Sequence, residues 1–284
     1  MSIHLRVAAA RQRLRDAGIT QTESDLDARL LAQHVLGWTT ERFFTDAHAA
    51  EPDGFTPQYE TLVARRATRE PLAYIVGRRE FWGLQLEVSP DVLIPRPATE
   101  LIVEAMLELF RDQSAPVSIA DVCTGCGCVA VALAHERPAA TIVATDISDA
   151  ALEVARRNAA RHGVADRVTF RNGDLLDGVD GAFDAIVANP PYVVDRAGPA
   201  LQPEVRDHEP AVALYGGAEG FDLVTRLVGQ APSRLRSGGY LVFEFGLGQD
   251  VEVEDLLAAA PELRLLELRR DLQGIARTAI AQRQ

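Results

Sequence analysis

The sequence predicts an α/β fold: a mostly parallel, doubly wound sheet, preceded by a small helical domain and a linking β-hairpin. Short β-branched apolar runs alternate with helical patterns from about residue 97 onward. A loop of small residues follows the first of these runs, where such sheets bind nucleotides. The last two runs are separated only by Asp271 to Gly274, which suits a hairpin and predicts an antiparallel last strand.

The chain has 284 residues, enough for a full α/β domain and a smaller partner domain. No apolar run approaches the ~20 residues of a membrane span, so we expect no membrane partner. The arginine-rich N-terminus lacks the apolar core of a signal peptide, and we therefore expect a cytoplasmic protein.

The net charge of −12 lies entirely beyond residue 80, because the first 80 residues hold equal numbers of basic and acidic side chains. An acidic α/β domain disfavours non-specific binding to a phosphate backbone, which depends on lysine and arginine contacts. We therefore expect no direct nucleic-acid partner, and a monomer.

Three helical patterns make up the N-terminal region, which we assign to residues 1–76. The first covers residues 4–19. The second begins at a capping box formed by Thr22 and Asp25 and ends at Gly37. The third follows Thr56-Pro57, with proline at the first helical position. This region is either a structural lid or, through a face formed by Arg65, Arg66 and Arg69, a surface for an acidic or RNA-rich partner.

Alternating apolar residues from Leu84 to Val88 predict one strand of a hairpin, and we place the linker at residues 77–96. Thr99 is then the expected N-cap of a helix from Leu101 to Phe110. Arg96 either reaches the site or lies on the surface.

The strand from Val117 to Val122 leads into a loop of small residues, Cys123 to Cys128, and a helix from Val129 to Glu136. Small residues let backbone amides approach a ligand, and the helix N-terminus attracts a carboxylate or phosphate. About 20 residues later a strand from Thr141 ends at Asp146, whose carboxylate can accept two hydrogen bonds from a ribose diol. After a helix over residues 150–162 and a strand over 168–170, residues 172–175 offer a place for an adenine ring.

The three cysteines Cys123, Cys126 and Cys128 lie within six residues of each other. Their spacing permits a metal site, but a structural zinc needs four ligands, and His135 is the sole further candidate nearby. We interpret the cysteines as small residues of a tight turn, with no metal and no disulfide.

The stretch Val187-Ala188-Asn189-Pro190-Pro191-Tyr192-Val193 ends a buried strand. Proline cannot continue a parallel ladder, so the chain leaves the sheet and holds Asn189 at the strand's carboxyl end. The Asn189 side-chain oxygen and the Pro190 carbonyl can accept both hydrogens of one planar amino group, and Tyr192 can stack behind it. The alternative is a proline-rich strand exit with a capping asparagine.

A long segment, residues 193–220, separates this stretch from a helix over 221–235 and from strands over 240–246, 263–268 and 276–281. Segments this long are often functional. His208 within it is either a general base or, as is commoner for a loop histidine, a surface group.

Several sequence blocks resemble the HemK/PrmC family, over the chain from about residue 20 onward. The blocks are Tyr74-Ile75-Val76-Gly77, Glu80-Phe81-Trp82-Gly83, Ile94-Pro95-Arg96-Pro97 with Thr99-Glu100, Asn189-Pro190-Pro191-Tyr192, and Arg206-Asp207-His208-Glu209-Pro210 with Gly216-Gly217. The resemblance implies a Rossmann-like S-adenosylmethionine-dependent methyltransferase sheet over residues 97–284 and a substrate-recognition role for residues 1–76.

The resemblance also implies roles for individual residues. The cofactor, which leaves as S-adenosylhomocysteine, would contact Cys123, Thr124, Gly125, Cys126, Gly127, Asp146, Asp174, Leu175 and Asn189. The substrate glutamine would contact Asn189, Pro190, Pro191 and Tyr192, and Asn189, Pro190 and Tyr192 would be catalytic. This chain departs from the family's Asp-x-Gly-x-Gly-x-Gly loop at Cys123 and Cys126, where glycine and a small residue are common, and Cys123 places a side chain where glycine can lie against the ligand.

The activity implied is transfer of a methyl group to the side-chain amide nitrogen of the glutamine in the Gly-Gly-Gln loop of peptide chain release factors, which are then the expected partners. The alternatives are a glutamine methyltransferase that acts on a ribosomal protein, a nucleic-acid base N-methyltransferase, and a non-catalytic binding protein.

Overall fold

The computed structural model describes residues 1–284, apart from the side chain of Pro199. The chain forms two compact units. The N-terminal unit contains Met1–Gly77 together with Gln202–His208, and the second unit contains Arg78–Leu201 and Glu209–Gln284. The chain thus leaves the second unit at Leu201 and returns to it at Glu209.

The N-terminal unit is helical. Its helices are α1 (Ile3–Asp16), α2 (Gln21–Leu36), α3 (Thr40–Asp46), α4 (Phe55–Ala67) and α5 (Leu72–Val76), and residues Pro203–His208 add a short helix. Helices α3 and α5 are too short for a periodic pattern, and the sequence did not indicate them. Gly37 ends α2 in the left-handed conformation, as predicted.

Two predicted helix starts were wrong. Helix α2 is capped by Thr20, whose hydroxyl accepts from the Glu23 amide and donates to the Glu23 carboxylate, so the capping box lies two residues before the predicted Thr22 and Asp25. Glutamate at the third helical position suits that geometry better than aspartate. Helix α4 begins at Phe55, so Pro57 is its third residue and not its first. Proline is tolerated there because first-turn amides have no partner within the helix.

A buried ion-pair network lies inside the N-terminal unit. The guanidinium of Arg66 donates to Asp27 at 2.7 Å and to Glu204 at 2.9 Å, and Arg69 donates to Glu204 at 2.6 Å. Arg66 is 4% exposed, so it belongs to the interior and not to a partner-binding face. Burial raises the pKa of Asp27 even though Arg66 lies beside it, which shows how much solvation this carboxylate loses.

The second unit opens with a hairpin of β1 (Arg78–Phe81) and β2 (Leu84–Glu87), and continues with α6 (Glu100–Leu109), β3 (Val117–Val122), α7 (Cys128–Glu136), β4 (Ala140–Asp146), α8 (Asp149–Arg161), β5 (Val168–Asn172), β6 (Phe183–Ala188), α9 (Asp222–Arg234), β7 (Leu235–Glu244), α10 (Asp250–Ala258), β8 (Leu263–Arg270) and β9 (Ala276–Arg283). The sequence had not indicated α10 or the first half of β7. Elsewhere in this unit the predicted helices and strands are present, with ends shifted by a few residues.

The main sheet has seven strands in the order β5-β4-β3-β6-β7-β9-β8. All neighbouring pairs are parallel except those of β9, which is antiparallel to both β7 and β8. This confirms the predicted Rossmann-like sheet with an antiparallel last strand. The strand order reverses between β3 and β6, and ligands of open α/β sheets bind at the carboxyl ends of the strands at such a point.

Buried apolar side chains fill the second unit, and those of β6 and β7 are almost fully excluded from solvent. Among the described residues, no helix combines the length and apolar character that crossing a membrane requires.

The ion network generates a prediction about stability. Replacement of Arg66 by methionine leaves Asp27 as a buried carboxylate without its partner and leaves the partly buried Glu204 with Arg69 alone. We therefore expect a loss of about 3–5 kcal/mol in the free energy of unfolding of the N-terminal unit. Urea unfolding followed by the fluorescence of Trp38, in a Trp82→Phe background, measures it.

The matched control is Arg65→Met. Arg65 pairs with Glu70 but its side chain is 42% exposed, so we expect a loss of about 1 kcal/mol or less. Equal losses in the two variants would contradict a special contribution of the buried network.

Candidate active site

A cavity of about 260 Å³ lies at the carboxyl edge of the main sheet, around the point where the strand order reverses. Nine of the predicted site residues line it: Cys123, Thr124, Gly125, Cys126, Asp146, Asp174, Leu175, Asn189 and Pro191. Gly127, Pro190 and Tyr192 are not among its lining residues. The register of the parallel strands explains why these residues lie together. Val122 of β3 pairs with Thr145 of β4 and with Ala188 of β6, so the residues that follow these three positions lie side by side at the edge of the sheet.

The loop after β3 turns tightly. Cys123, Gly125 and Gly127 all have positive φ, at 59°, 55° and 80°. A Cβ on Gly127 would lie 3.0 Å from the Ala155 Cβ, so glycine there permits α7 and α8 to pack closely. Cys123 has a side chain in a conformation that costs an L-residue about 1–2 kcal/mol.

The side chain of Asp121, in β3, accepts hydrogen bonds from the loop and from the helix after it. The carboxylate is 2% exposed and accepts from the Thr124 hydroxyl at 2.6 Å and from the Ala130 amide at 3.1 Å. Burial raises the pKa of Asp121 to about 7, and the negative charge of Asp146 acts in the same direction. Its hydrogen bonds tie the loop to the first turn of α7.

Asp146 ends β4 beside the loop. One carboxylate oxygen accepts from the Gly125 amide and the other from the Ser148 amide, each at 2.9 Å. Burial raises the pKa of Asp146 despite these bonds. Because a carboxylate has about four lone-pair positions, each oxygen retains capacity for a ligand hydroxyl.

Asp174 and Leu175 line the wall after β5. The Asp174 carboxylate accepts from the Arg226 guanidinium at 2.8 Å. Leu175 adopts a positive φ of 55°, and its carbonyl accepts from the Thr145 hydroxyl at 2.9 Å. This wall therefore combines a fixed apolar side chain with an ion pair at the cavity edge.

The three cysteines are free thiols. Burial raises the pKa of Cys123, with the charge of Asp146 adding to the effect, so its thiol is neutral at physiological pH. Among the described residues, no group of three or more His, Cys, Asp or Glu side chains is arranged to hold a metal ion.

Asn189 is oriented by a hydrogen-bond chain that the sequence did not reveal. Its Nδ2 donates to the Thr99 hydroxyl oxygen at 3.1 Å, and Thr99 donates to Glu244 at 2.6 Å. Tyr192 donates to the other oxygen of Glu244 at 2.9 Å. The Asn189 Oδ1 accepts from no described residue, so it is left to a ligand of the cavity that Asn189 lines.

Thr99 and Glu244, the residues that link Asn189 to Tyr192, differ in what the sequence indicates about them. Thr99 occupies the N-cap position of α6, as predicted, but it is also the last residue of a 3₁₀ turn, Pro97–Thr99, and its hydroxyl makes no capping bond. Its hydroxyl is committed to Glu244 instead. The sequence does contain a signal for Glu244, because a carboxylate lies within the apolar run of β7, and the structure shows this residue to be 1% exposed.

Two further sequence candidates lie outside the cavity lining. Arg96 donates to Glu209 at 2.6 Å, and Glu209 also accepts from the Ile94 amide, so Arg96 fixes the segment before Thr99. His208 belongs to the N-terminal unit. Residues after Pro210 do reach the cavity, including Val212, Ala213 and Tyr215, which the sequence had not singled out.

Comparison with known proteins agrees with this geometry. The family model of the PrmC N-terminal domain matches residues 7–77, and that of the methyltransferase small domain matches residues 97–204. A release factor glutamine methyltransferase from Bradyrhizobium diazoefficiens is 42% identical over 273 residues, which cover 95% of this chain and 91% of that protein. One from Nitratidesulfovibrio vulgaris is 39% identical over 277 residues, covering 96% and 92%.

A solved structure supports the fold. The ribosomal protein L11 methylase from Lactobacillus delbrueckii subsp. bulgaricus matches with a TM-score of 0.50 and 26% identity, over 66% of this chain and 80% of that one. Fold, cavity and matches together define an S-adenosylmethionine-dependent methyltransferase with a Rossmann-like sheet. More specifically, the chain belongs to the release factor glutamine methyltransferase family, the enzymes of which methylate protein glutamine.

The cavity lining fits S-adenosylmethionine. The described lining residues include four with carboxyl groups, Asp91, Asp121, Asp146 and Asp174, and one arginine, Arg226, which is paired with Asp174. An acidic wall of this kind favours a cationic ligand such as a sulfonium. The free acceptor positions of Asp146 suit a ribose diol.

Cys123 generates a prediction about both stability and cofactor affinity. Cys123→Gly removes the strain of a positive φ, but glycine also increases the entropy of the unfolded chain, so we expect a net gain of about 0.5–1 kcal/mol in the free energy of unfolding. It also removes a side chain from the cavity wall, so S-adenosylmethionine should bind more tightly in calorimetry.

Cys123→Ala is the matched control, because it removes the sulfur and keeps a Cβ at positive φ. It should change affinity without the gain in stability. A lower melting temperature for Cys123→Gly would contradict the strain argument.

Proposed function

We propose that this enzyme transfers a methyl group from S-adenosylmethionine to the side-chain amide nitrogen of the glutamine in the Gly-Gly-Gln loop of peptide chain release factors. The observation that carries the proposal is the fixed amide of Asn189, since its NH₂ group is used by Thr99 and its oxygen remains available to a ligand. An exposed acceptor at this edge of the sheet selects a substrate that donates hydrogen bonds.

The geometry of the proposed substrate complex follows from this acceptor. Asn189 Oδ1 and the carbonyl of Pro190 take the two hydrogens of the glutamine NH₂ group and so fix its plane. Tyr192 is held in place by its bond to Glu244 and by contact with Gly246, where a Cβ would lie 3.1 Å from the Tyr192 ring. Its ring stacks on the planar amide and excludes water, worth about 0.5–1.5 kcal/mol beyond burial.

The remaining roles concern the cofactor, which supplies an electrophilic methyl group on a positively charged sulfur. We assign the methionine part to Cys123, Thr124, Gly125, Cys126 and Gly127, the ribose to Asp146, the adenine to Asp174 and Leu175, and the methyl-bearing end to Asn189. Pro191 contributes to the substrate side of the wall. S-adenosylhomocysteine is the corresponding product.

Positioning accounts for the rate in this proposal. An amide nitrogen is a poor nucleophile because its lone pair is delocalised over the carbonyl group. The acceptors at Asn189 and Pro190 hold the nitrogen for in-line attack and favour its partial pyramidalisation. No strong base is needed, because the nitrogen loses its proton only after it has gained the methyl group.

The substrate assignment is supported by the family to which the chain belongs and by the names of its relatives. We assign residues 1–76 to recognition of the release factor, residues 77–96 to a linker and residues 97–284 to methyl transfer. The enzyme acts as a cytoplasmic monomer in this proposal. The negative charge of the chain disfavours nucleic acid as the substrate.

The test is incubation with labelled S-adenosylmethionine and purified release factor, followed by peptide mass mapping. We expect one methyl group on the loop glutamine and none on a release factor with that glutamine changed to alanine. Label on a ribosomal protein or on RNA instead of the release factor would overturn the substrate assignment.

Asn189→Ala tests the role of the acceptor. We expect kcat to fall by about 100-fold or more, the usual cost of removing one preorganised hydrogen-bonding group, while calorimetry shows S-adenosylmethionine binding largely retained. Turnover at the normal rate would contradict the proposed role of Asn189.

A further inference from the structure

Glu244 lies at the end of β7, one residue beyond Phe243, which pairs with Ala188 in the parallel ladder. Asn189 likewise lies one residue beyond Ala188, so the register brings Glu244 and Asn189 to the same level of the sheet edge. The two side chains are not bonded to each other. Thr99, from the segment before α6, connects them through its hydroxyl.

The chain of bonds has only one direction. An ionised carboxylate accepts hydrogen bonds and donates none, so Thr99 must give its one hydroxyl proton to Glu244. The Thr99 oxygen then has only lone pairs to offer Asn189, and Asn189 must present its NH₂ group. Glu244 thereby fixes which end of the Asn189 amide faces the cavity.

A flipped Asn189 would oppose the reaction. Its Oδ1 would face the Thr99 oxygen with no proton between them, and its NH₂ group would face the substrate NH₂ group, donor against donor. Both contacts are repulsive, and a buried polar group without its partner costs about 1–3 kcal/mol. The flip becomes possible only when Thr99 can turn its proton toward Asn189.

The geometry points to Glu244 as a positioning residue for methyl transfer, one that acts through the Thr99 hydroxyl to hold the Asn189 acceptor toward the substrate and through the Tyr192 hydroxyl to hold the stacking ring. This inference rests on the proposed function, since it assigns the substrate amide to Asn189. Glu244 itself touches neither substrate nor cofactor in this account.

The charge of Glu244 does not stabilise the fold in its buried surroundings, which indicates that the charge has a functional role. Burial raises the pKa of Glu244, although the bonds from Thr99 and Tyr192 and the charges of Arg277 and Arg96 all act to lower it. At a pH above the pKa that this glutamate has in the unfolded chain, a carboxyl group whose folded-state pKa is raised makes the folded state less stable than a neutral side chain at the same position would. Burial also raises the pKa of Tyr192, which keeps its hydroxyl a donor.

The experiment compares Glu244→Gln with the unaltered enzyme on release factor. A glutamine can donate to the Thr99 oxygen and free the Thr99 proton for a flipped Asn189. We expect kcat to fall about 10- to 100-fold, with the affinity for S-adenosylmethionine and the melting temperature at pH 8 unchanged or higher. Thr99→Val should show the same fall, and Thr99→Ser should recover most of the activity.

The pH profile separates positioning from packing. Protonation of Glu244 has the same effect as its replacement, so kcat of the unaltered enzyme should fall as pH decreases through a pKa above that of an ordinary glutamate. Asp121, whose pKa burial raises to about 7, and Asp146, whose pKa burial also raises, titrate in the same cavity and remain in both enzymes. Glu244→Gln should therefore lose the part of the acidic limb that Glu244 contributes, so that its pH profile differs from that of the unaltered enzyme. An unchanged kcat in Glu244→Gln, or an acidic limb identical to that of the unaltered enzyme, would overturn the inference.

Thr278→Val is the matched control. Thr278 pairs with Glu244 across the β7–β9 ladder, is fully buried, and has a hydroxyl with no hydrogen-bond partner among the described residues. Its removal should leave kcat unchanged. A fall as large as that of Thr99→Val would mean that any change in this part of the core slows the enzyme, and would count against the inference.

The orientation of the Asn189 amide can be measured without methyl transfer, so the inference about Glu244 can be tested separately from the proposed function. The chain has three asparagines, so selective ¹⁵N-asparagine labelling gives three side-chain amide signals. The Asn189 signal should be protected from exchange in the unaltered enzyme and lose that protection in Glu244→Gln; an unchanged signal would refute the Glu244 assignment. Failure of the unaltered enzyme to methylate glutamine would instead refute the proposed function.

Discussion

The parallel register of β3, β6 and β7 is the constraint on which the site depends. Val122 pairs with Ala188, and Ala188 pairs with Phe243, so the residues after them emerge side by side at one edge of the sheet. These residues are Cys123 in the loop of small residues, Asn189, which we propose accepts hydrogen bonds from the substrate, and Glu244, whose carboxylate is buried. Because side chains alternate between faces along a strand, a slip of one residue in any of the three strands would separate this set.

The site concentrates features that oppose stability. Cys123 and Leu175 have positive φ without being glycine, and Asp121, Asp146 and Glu244 are carboxyl groups whose burial raises their pKa. Strained backbone and desolvated charge persist where the surrounding core fixes them and where function benefits from a rigid arrangement. Strand β6 and the second half of β7, Leu241 to Glu244, are almost fully buried and supply that rigid surrounding.

The N-terminal unit has its own polar organisation. The buried pair Asp27 and Arg66 and the partly buried pair Arg69 and Glu204 form one network, in which Glu204 comes from a part of the chain some 135 residues away from the arginines. The segment Gln202–His208 is thereby part of this unit, while the residues on either side of it belong to the unit that contains the cavity. The long segment after Tyr192 thus contributes residues to both units.

The sequence by itself determined the order of the elements, the sheet class, the antiparallel last strand and the polar residues that follow β3, β4 and β6, because local periodicity and proline and glycine positions carry that information. Asn189 was found because it directly follows an apolar strand, and Asp146 because it ends one. Only the tertiary structure showed that Thr99 joins Asn189 to Glu244 and that Glu204 pairs with Arg66. These contacts join residues 90 to 145 positions apart, and local sequence patterns do not record which distant side chains share a buried hydrogen bond.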